Sequence, residues 1–98
     1  MTEAFSRFDA ADYLLTKEDE ADYLAAAGED GDPAALLRAF ATVARAHNMS
    51  QLARDADMTR EGLYKALSVD GNPEFKTVAK IAGALGFAIT FKIRSGGV

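Results

Sequence analysis

The sequence of 98 residues contains no cysteine, only one histidine and only two prolines. Without cysteine the chain can form no disulfide, no thiolate metal site and no cysteine nucleophile, which fits a reducing compartment. No apolar run approaches the roughly 18 residues that a membrane span requires, and the N-terminus MTEAFSRFDA lacks the basic and then apolar order of a signal peptide. These absences predict a cytoplasmic protein that its own sequence neither exports nor anchors in a membrane.

Catalysis and metal binding also find little support. His47 falls at a predicted helix C-terminus, where an imidazole usually meets carbonyl groups or the helix dipole rather than acting as a base. The acidic residues have no cluster of histidine or cysteine beside them, and no glycine-rich phosphate loop or nucleophile elbow occurs. We therefore expect no enzymatic activity, no metal and no cofactor.

The residues that are present have the composition of an ordinary globular domain, 49% hydrophobic and 27% charged. The formal charge of -4 hides an asymmetry. Residues 1–32 hold ten acidic and two basic residues, a net charge of -8, whereas residues 33–98 hold nine basic and five acidic residues, a net charge of +4. This division predicts two partners of opposite charge. The alternative is that the acidic residues only aid solubility.

The stretch GEDGDP marks a boundary, because two glycines and a proline interrupt the pattern where the charge changes sign. We predict three segments. Residues 1–31 form an acidic helical segment, residues 32–86 a helix-turn-helix domain, and residues 87–98 a C-terminal strand and tail.

The acidic segment is predicted to contain two short helices. In the first, Phe8, Ala11 and Leu15 recur at helical spacing. The second begins after Thr16, which forms a capping box with Asp19 three residues later.

Four helices are predicted after the boundary, and each has a start signal. The first runs to about Ala46, and the fourth ends at Gly86. The predicted N-terminal caps are Asp32, Ser50, Thr59 and Asn72, of which the first and last precede a proline at the first helical position.

The stretch SQLARDADMTREGLYKAL, residues 50–67, has the layout of a helix-turn-helix. Such a motif needs a small residue where its helices cross, a turn residue that tolerates positive φ, and apolar anchors on both helices. Ala53 is the small residue and Asp57 the turn residue, and the anchors are Leu52, Ala56, Met58, Leu63 and Leu67. Glycine usually holds the turn position, and aspartate adopts the left-handed conformation at some cost.

A step of 100° per residue places several polar residues on the outer face of the second helix of this motif. An arginine can contact guanine in a bidentate manner and a glutamate can accept from cytosine, although Glu61 could equally pair with Lys65. Gly62 would allow the backbone to approach DNA closely. The candidate base contacts are Thr59, Arg60, Glu61, Tyr64, Lys65 and Ser68. The candidate phosphate contacts are Ser50, Gln51, Arg54, Lys76 and Lys80, the last three being equally consistent with ordinary solvated residues.

The stretch FAITFKIR, residues 87–94, changes from helical to alternating periodicity, with Phe87, Ile89, Phe91 and Ile93 on one face. A lone strand would leave its backbone groups unpaired, and no other segment alternates as well. We therefore predict pairing with the chain's own copy in a homodimer, or with a partner protein. The alternative is a hairpin with the N-terminal stretch EAFSRF.

Three stretches, GDP (31–33), MSQLARDADMTREGLYKALS (49–68) and GNPEFKTV (71–78), resemble addiction-module antidote proteins, which are HigA-like antitoxins with a phage-repressor type helix-turn-helix. The resemblance extends from DAADYL near the N-terminus to the terminal strand. It implies a mainly α fold with a repressor-like core. It also implies an antitoxin of a type II toxin-antitoxin module, which neutralises a small basic RelE/ParE-like toxin and represses its own operon.

This resemblance gives each half of the chain an expected partner. The acidic segment would contact the toxin, and a homodimer would bind operator DNA with an inverted repeat. Two alternatives stay open: a stand-alone phage-type transcriptional repressor, and a protein-interaction module without DNA binding.

Overall fold

The computed structural model describes residues 9–94, and local start signals account for most of its helices. A 3-10 helix at Ala10–Tyr13 precedes five α-helices, which are α1 (Lys17–Gly28), α2 (Pro33–Arg45), α3 (Met49–Asp55), α4 (Arg60–Ala66) and α5 (Phe75–Ala84). The prediction of a mainly α fold is confirmed. None of the helices in this part of the chain is long and apolar enough to cross a membrane.

Three of the predicted helix starts are confirmed. The Thr16 hydroxyl accepts from the Asp19 amide at 3.0 Å while the Asp19 carboxylate accepts from the Thr16 amide at 3.1 Å, so the capping box before α1 is complete. Asp32 accepts from the amide of Ala34 at 3.0 Å, with Pro33 opening α2. Thr59 caps α4 in the same manner.

The predicted cap at Ser50 is wrong by two residues. Asn48 is the N-cap of α3, and its side-chain oxygen accepts from the Gln51 amide at 3.0 Å. Ser50 therefore lies inside the first turn. Both residue types are good caps, and the earlier one starts the helix because its side chain reaches a free amide three residues on.

The predicted start of the last helix at Asn72 and Pro73 is also wrong, because α5 begins at Phe75 and has no side-chain cap. Gly71 explains the delay. A Cβ atom on Gly71 would lie 2.5 Å from the carbonyl oxygen of Ala66. The chain is thus pressed against the end of α4 at this point and must clear it before a helix can begin.

The first acidic helix is shorter than predicted. It is one 3-10 turn, in which Ala11 is buried, and Leu15 is 81% exposed rather than inward. The capping box at Thr16 requires extended backbone there, so the chain leaves the helical conformation and turns Leu15 outward. Phe8, the third residue of the predicted stripe, lies outside the described residues.

Asp57 adopts the left-handed conformation expected of it, with φ 59°. Its amide donates to the Arg54 carbonyl at 3.1 Å, and the next amide, that of Met58, donates to Ala53 at 2.8 Å. This pair of bonds is the Schellman arrangement that satisfies the last carbonyls of a helix. Gly86, with φ 93°, holds the corresponding position after α5.

The hydrophobic core forms where α2, α3, α4 and α5 meet. Its largest fully buried side chains are Val43, Leu63, Ile81 and Leu85. The acidic helix α1 packs along α2, and Tyr23 and Leu24 extend the core on that side. The helix pair α3 and α4 therefore packs against the core through its apolar residues, and its polar residues face solvent.

The prediction of a C-terminal strand is wrong for the single chain. Residues 88–94 make no backbone hydrogen bond with any other residue in the described range 9–94, and no strand is formed there. The physical reason is that a strand needs a neighbouring backbone, and this chain supplies none within that range. The alternative hairpin partner, residues 3–8, lies outside the described residues.

Candidate nucleic-acid interface and acidic segment

All six candidate base contacts lie on or beside α4, the second helix of the predicted motif. Because Leu63 is fully buried, the opposite side of this short helix faces solvent. The structure brings together on that side, all of them exposed, Thr59, Arg60, Glu61, Tyr64, Lys65 and Ser68. Their arrangement matches the predicted face.

Thr59 caps α4 as predicted, but the sequence interpretation missed the part that Gly62 plays in this cap. The Thr59 hydroxyl accepts from the Gly62 amide at 2.9 Å, and a Cβ atom on Gly62 would lie 2.9 Å from that same oxygen. The glycine therefore leaves room for the helix cap. Gly62 was assigned only to close approach of DNA, and the cap is a second reason for it.

Arg60 and Tyr64 form one unit on the outer face of α4. The guanidinium carbon lies 5.5 Å from the centroid of the tyrosine ring, and Nη2 lies 3.4 Å from the phenolic oxygen. The hydrogen bond to Tyr64 raises the pKa of Arg60 above its ordinary value. A cation-π contact of this kind limits the positions that the guanidinium can take, and a bidentate contact needs a guanidinium that is held in place.

Glu61 and Lys65 make no ion pair with each other in the described part of the chain. Intrahelical pairing is therefore not what explains Glu61 in this structure. The Ser68 hydroxyl donates to the Lys65 carbonyl at 2.9 Å, which leaves its oxygen free to accept.

The candidate phosphate contacts fall into two groups. At the start of α3, Ser50 is half-buried, and the Gln51 side chain donates to Asp55 at 2.8 Å while accepting from Arg54 at 2.7 Å. The amide of Gln51 is used by the Asn48 cap, so neither the amide nor the side chain of Gln51 is free. Lys76 and Lys80 form the second group, both exposed on α5.

Lys80 differs from Lys76 in its surroundings. It lines a surface depression together with Asp55 and Asp57. Two carboxylates border the same depression as Lys80, and a phosphate placed there would meet their negative charge as well as the ammonium group.

The acidic segment is tied to the rest of the chain by contacts that the sequence did not reveal. The carboxylate of Asp9 accepts from the Arg45 guanidinium at 2.8 Å. This hydrogen bond, together with one from the Ala11 amide, lowers the pKa of Asp9, and it raises the pKa of Arg45.

Lys17 joins α1 to the end of α5. Its ammonium group donates to the Leu85 carbonyl at 2.6 Å and lies 5.1 Å from the centroid of the Phe87 ring. Phe87 is half-buried and packs against the core. Phe87 therefore belongs to the chain's own interior, unlike the other three residues of the predicted dimer strand.

His47 was expected to interact with helix-end carbonyls, and it contacts a carboxylate instead. Its Nε2 lies 2.9 Å from Oε2 of Glu20, whose side chain is only 8% exposed. The other oxygen of Glu20 is buried and has no hydrogen-bond partner in the described structure. No group of three or more potential metal ligands lies together within residues 9–94.

These contacts divide the acidic residues into two sets. Asp9, Glu20 and Glu29 pair with Arg45, His47 and Lys92, while Asp19 and Asp32 cap helices. The second set is exposed and makes no ion pair with residues 9–94, and it consists of Asp12, Glu18, Asp22 and Asp30. Within residues 9–32, these four carboxylates neither pair with a basic side chain nor cap a helix, so they are available to attract a basic partner.

Comparison with known proteins extends the similarity over nearly the whole chain. A family model described as a probable addiction module antidote protein matches residues 4–93. An uncharacterized protein of Haemophilus influenzae is 48% identical over 85 residues, which cover 87% of this chain and 88% of that protein. No solved structure matches the chain. The matched range includes residues 4–31 of the acidic segment and all five α-helices, so it is not limited to α3 and α4.

Proposed function

The chain belongs to the family of probable addiction module antidote proteins, and from this premise we propose that it is the antitoxin of a type II toxin-antitoxin module. In this proposal a homodimer acts in the cytoplasm. It neutralises a RelE/ParE-like toxin by direct binding and represses its own operon by sequence-specific DNA binding. The family match over residues 4–93 is the observation that carries the antidote role.

The toxin-binding part of the proposal rests on charge. Glu18 and Asp22 lie one turn apart on the exposed face of α1, and neither is neutralised by residues 9–94. A basic partner would meet two carboxylates at a spacing that helix geometry sets. Electrostatic attraction of this kind mainly speeds association and depends on salt.

Neutralising Glu18 and Asp22 tests this part with the fold preserved, whereas deleting residues 1–30 would also uncover α2. We expect the variant E18Q/D22N to bind the toxin encoded beside the gene roughly 2- to 5-fold more weakly for each charge. The control variant D70N/E74Q removes the same charge from the connection before α5. Affinity measured in the purified pair should fall only in the first variant, and equal losses in both would refute a specific role for α1.

The DNA-binding part rests on the outward face of α4. A helix of this length presents its first turns to base edges when it enters a major groove, which would bring Arg60 and Lys65 close to the bases. The preceding helix would then meet the phosphate backbone near its N-terminus, where Ser50 lies. In a two-fold dimer the two α4 helices would enter successive major grooves about 34 Å apart on an inverted repeat.

Binding to DNA from its own promoter tests this part. Replacing Arg60 by alanine should weaken binding to the operator roughly 10-fold or more and leave binding to unrelated DNA nearly unchanged. Replacing Lys65 by alanine should likewise weaken operator binding and relax its specificity, whereas Lys76→Ala, at a candidate phosphate contact, should weaken binding to both DNAs and reduce the salt slope by about one. Arg38→Ala, an exposed arginine on α2, is the control.

The same measurements separate the two alternatives. A stand-alone repressor would bind the promoter but no protein encoded beside it. A protein-interaction module would bind its partner protein and show no salt-dependent binding to promoter DNA. Loss of both activities in one variant would indicate unfolding rather than a lost contact.

A further inference from the structure

The C-terminal segment, residues 88–94, lies along α1 and is anchored near both of its ends. At its start, Phe87 is held under the ammonium group of Lys17, the first residue of α1. Near its end, Lys92 donates to Glu29 at 2.5 Å, directly after α1. The hydrogen bond lowers the pKa of Glu29. Arg94 also turns toward the chain, since a Cβ atom on Gly31 would lie 2.9 Å from its Nη2.

In a strand that packs on its own core, the apolar residues face inward. In residues 88–94 they face outward instead. The even-numbered basic residues face the loop after α1, whereas Phe91 and Ile93 are 90% and 96% exposed and Ile89 is 42% exposed. The backbone of residues 88–94 donates to and accepts from no other residue of the described range. An apolar row and a backbone edge that is unpaired within residues 9–94 are thus presented together, and an unpaired edge binds another strand readily.

We propose that this segment pairs antiparallel with the same segment of a second copy of the chain, with Phe91 on the two-fold axis. The proposal specifies the contact of the homodimer in the proposed function. It depends on neither toxin nor DNA binding.

The register follows from which residues would face one another. In antiparallel pairing, directly opposed residues lie on the same face of the sheet. Any two-fold axis between two residues would therefore set the apolar row of one copy against the polar row of the other. Only an axis through a residue keeps apolar side chains opposite apolar side chains.

Three residues are central enough to lie on such an axis. An axis at Thr90 would need Phe87 to pair with Ile93 of the second copy, but Phe87 is packed in the core. An axis at Lys92 would set two lysines directly opposite, which is destabilising. An axis at Phe91 pairs the two Phe91 side chains with each other and each Ile89 with the other copy's Ile93.

The Phe91 register also suits the charged row. Lys92 would face Thr90 of the second copy and Arg94 would face Ala88, so no like charges are directly opposed. The nearest diagonal neighbour of Lys92 is the other Lys92, and each is already paired with Glu29 of its own chain. The surface is thus complementary to itself, as a two-fold interface requires.

Cysteine crosslinking tests the register directly, because the chain contains no native cysteine. Under mild oxidation, a mixture of Ile89→Cys chains and Ile93→Cys chains should give a covalent dimer, with Phe91 intact in both. Phe91→Cys should crosslink to itself. Thr90→Cys, which would face Lys92, is the matched control and should stay monomeric on a non-reducing gel.

Sedimentation of the wild type supplies the second measurement. A two-stranded ribbon is only marginally stable in water, so the dimer should dissociate on dilution. Phe91→Lys should abolish the dimer, whereas Val69→Lys, at another exposed apolar residue, should not. A wild type that is monomeric at every concentration, or Thr90→Cys crosslinking as fast as the mixed pair, would overturn the proposal. If the cysteine variants crosslink as expected but the wild type does not bind the operator, the proposed function fails and the dimer contact stands.

Discussion

The guanidinium of Arg60 lies over the ring of Tyr64 on the exposed side of α4, with 5.5 Å between the guanidinium carbon and the ring centroid. Both residues were predicted to contact bases, and their stacking suggests a division of labour. A long arginine side chain loses rotamer entropy when it binds, and a side chain already stacked loses less. Tyr64 would therefore act mainly by holding Arg60 in place.

We predict that Tyr64→Leu weakens operator binding by roughly 2- to 5-fold, the size expected of an exposed cation-π contact. Tyr64→Phe keeps the ring and loses only the long hydrogen bond, so its binding should stay near that of the wild type. The decisive measurement is a double-mutant cycle with Arg60→Ala. If the losses from Tyr64→Leu and Arg60→Ala simply add, Tyr64 contacts DNA on its own account and the division of labour is wrong.

Asp57 offers a test of backbone strain, because its Cβ atom makes the left-handed conformation costly. Gly86 adopts the same conformation after α5 but has no Cβ atom. We expect Asp57→Gly to raise the free energy of unfolding by about 0.5–1 kcal/mol, after allowing for the greater freedom of glycine in the unfolded chain. Gly86→Ala should act in the opposite direction. Urea denaturation measures both changes, and a destabilised Asp57→Gly variant would show that the carboxylate makes a contribution larger than the strain.

The pair of Glu20 and His47 should matter for stability because Glu20 is buried and one of its oxygens already lacks a partner. His47→Ala would leave a buried carboxylate with no hydrogen bond, at a cost of about 1–3 kcal/mol. Adding Glu20→Gln should recover part of this loss, since a neutral amide is less costly to bury than a charge. Thermal and urea unfolding of the wild type, His47→Ala and the double variant measure these changes. A His47→Ala variant as stable as the wild type would contradict a stabilising role for the pair.

The contact between Asp9 and Arg45 predicts that the free energy of unfolding depends on pH in acidic solution. The hydrogen bond lowers the pKa of Asp9 below its ordinary value of 3.8, so the ionised form is favoured in the folded chain. The resulting stabilisation is present above pH 3.8 and is lost as the pH falls through the lowered pKa. The carboxyl resonance of Asp9 should report the low pKa by NMR, and Arg45→Gln should return it toward 3.8.

Glu29 provides an internal comparison for that titration, because its pKa is lowered by Lys92 and should be unaffected by Arg45→Gln. Both pairs are exposed, so added salt should reduce both shifts. A pKa of Asp9 that does not respond to Arg45→Gln would mean that the Ala11 amide, rather than the guanidinium, holds the carboxylate.

Much of the fold could be predicted because its signals are local. The capping box of Thr16 and Asp19, the Asp32 cap before Pro33 and the Thr59 cap each depend on hydrogen bonds between residues two or three positions apart. The left-handed conformation of Asp57 followed from the short turn between two helices. The exposed face of α4 followed from helical periodicity around the buried Leu63. The predicted start of α5 at Asn72 was wrong because packing delays the helix there: Gly71 lies against the end of α4.

The sequence by itself therefore determined the existence and order of the α-helices, the side of α4 that faces solvent and the family resemblance, since these depend on local spacing and on residue identity. Only the tertiary structure decided which acidic residues are free, because Glu20 and His47 are 27 residues apart, Asp9 and Arg45 are 36 apart, and Glu29 and Lys92 are 63 apart. It also decided that Phe87 turns inward while Phe91 and Ile93 face outward. Such pairings depend on the positions at which helices pack, and no periodicity within one segment can specify them.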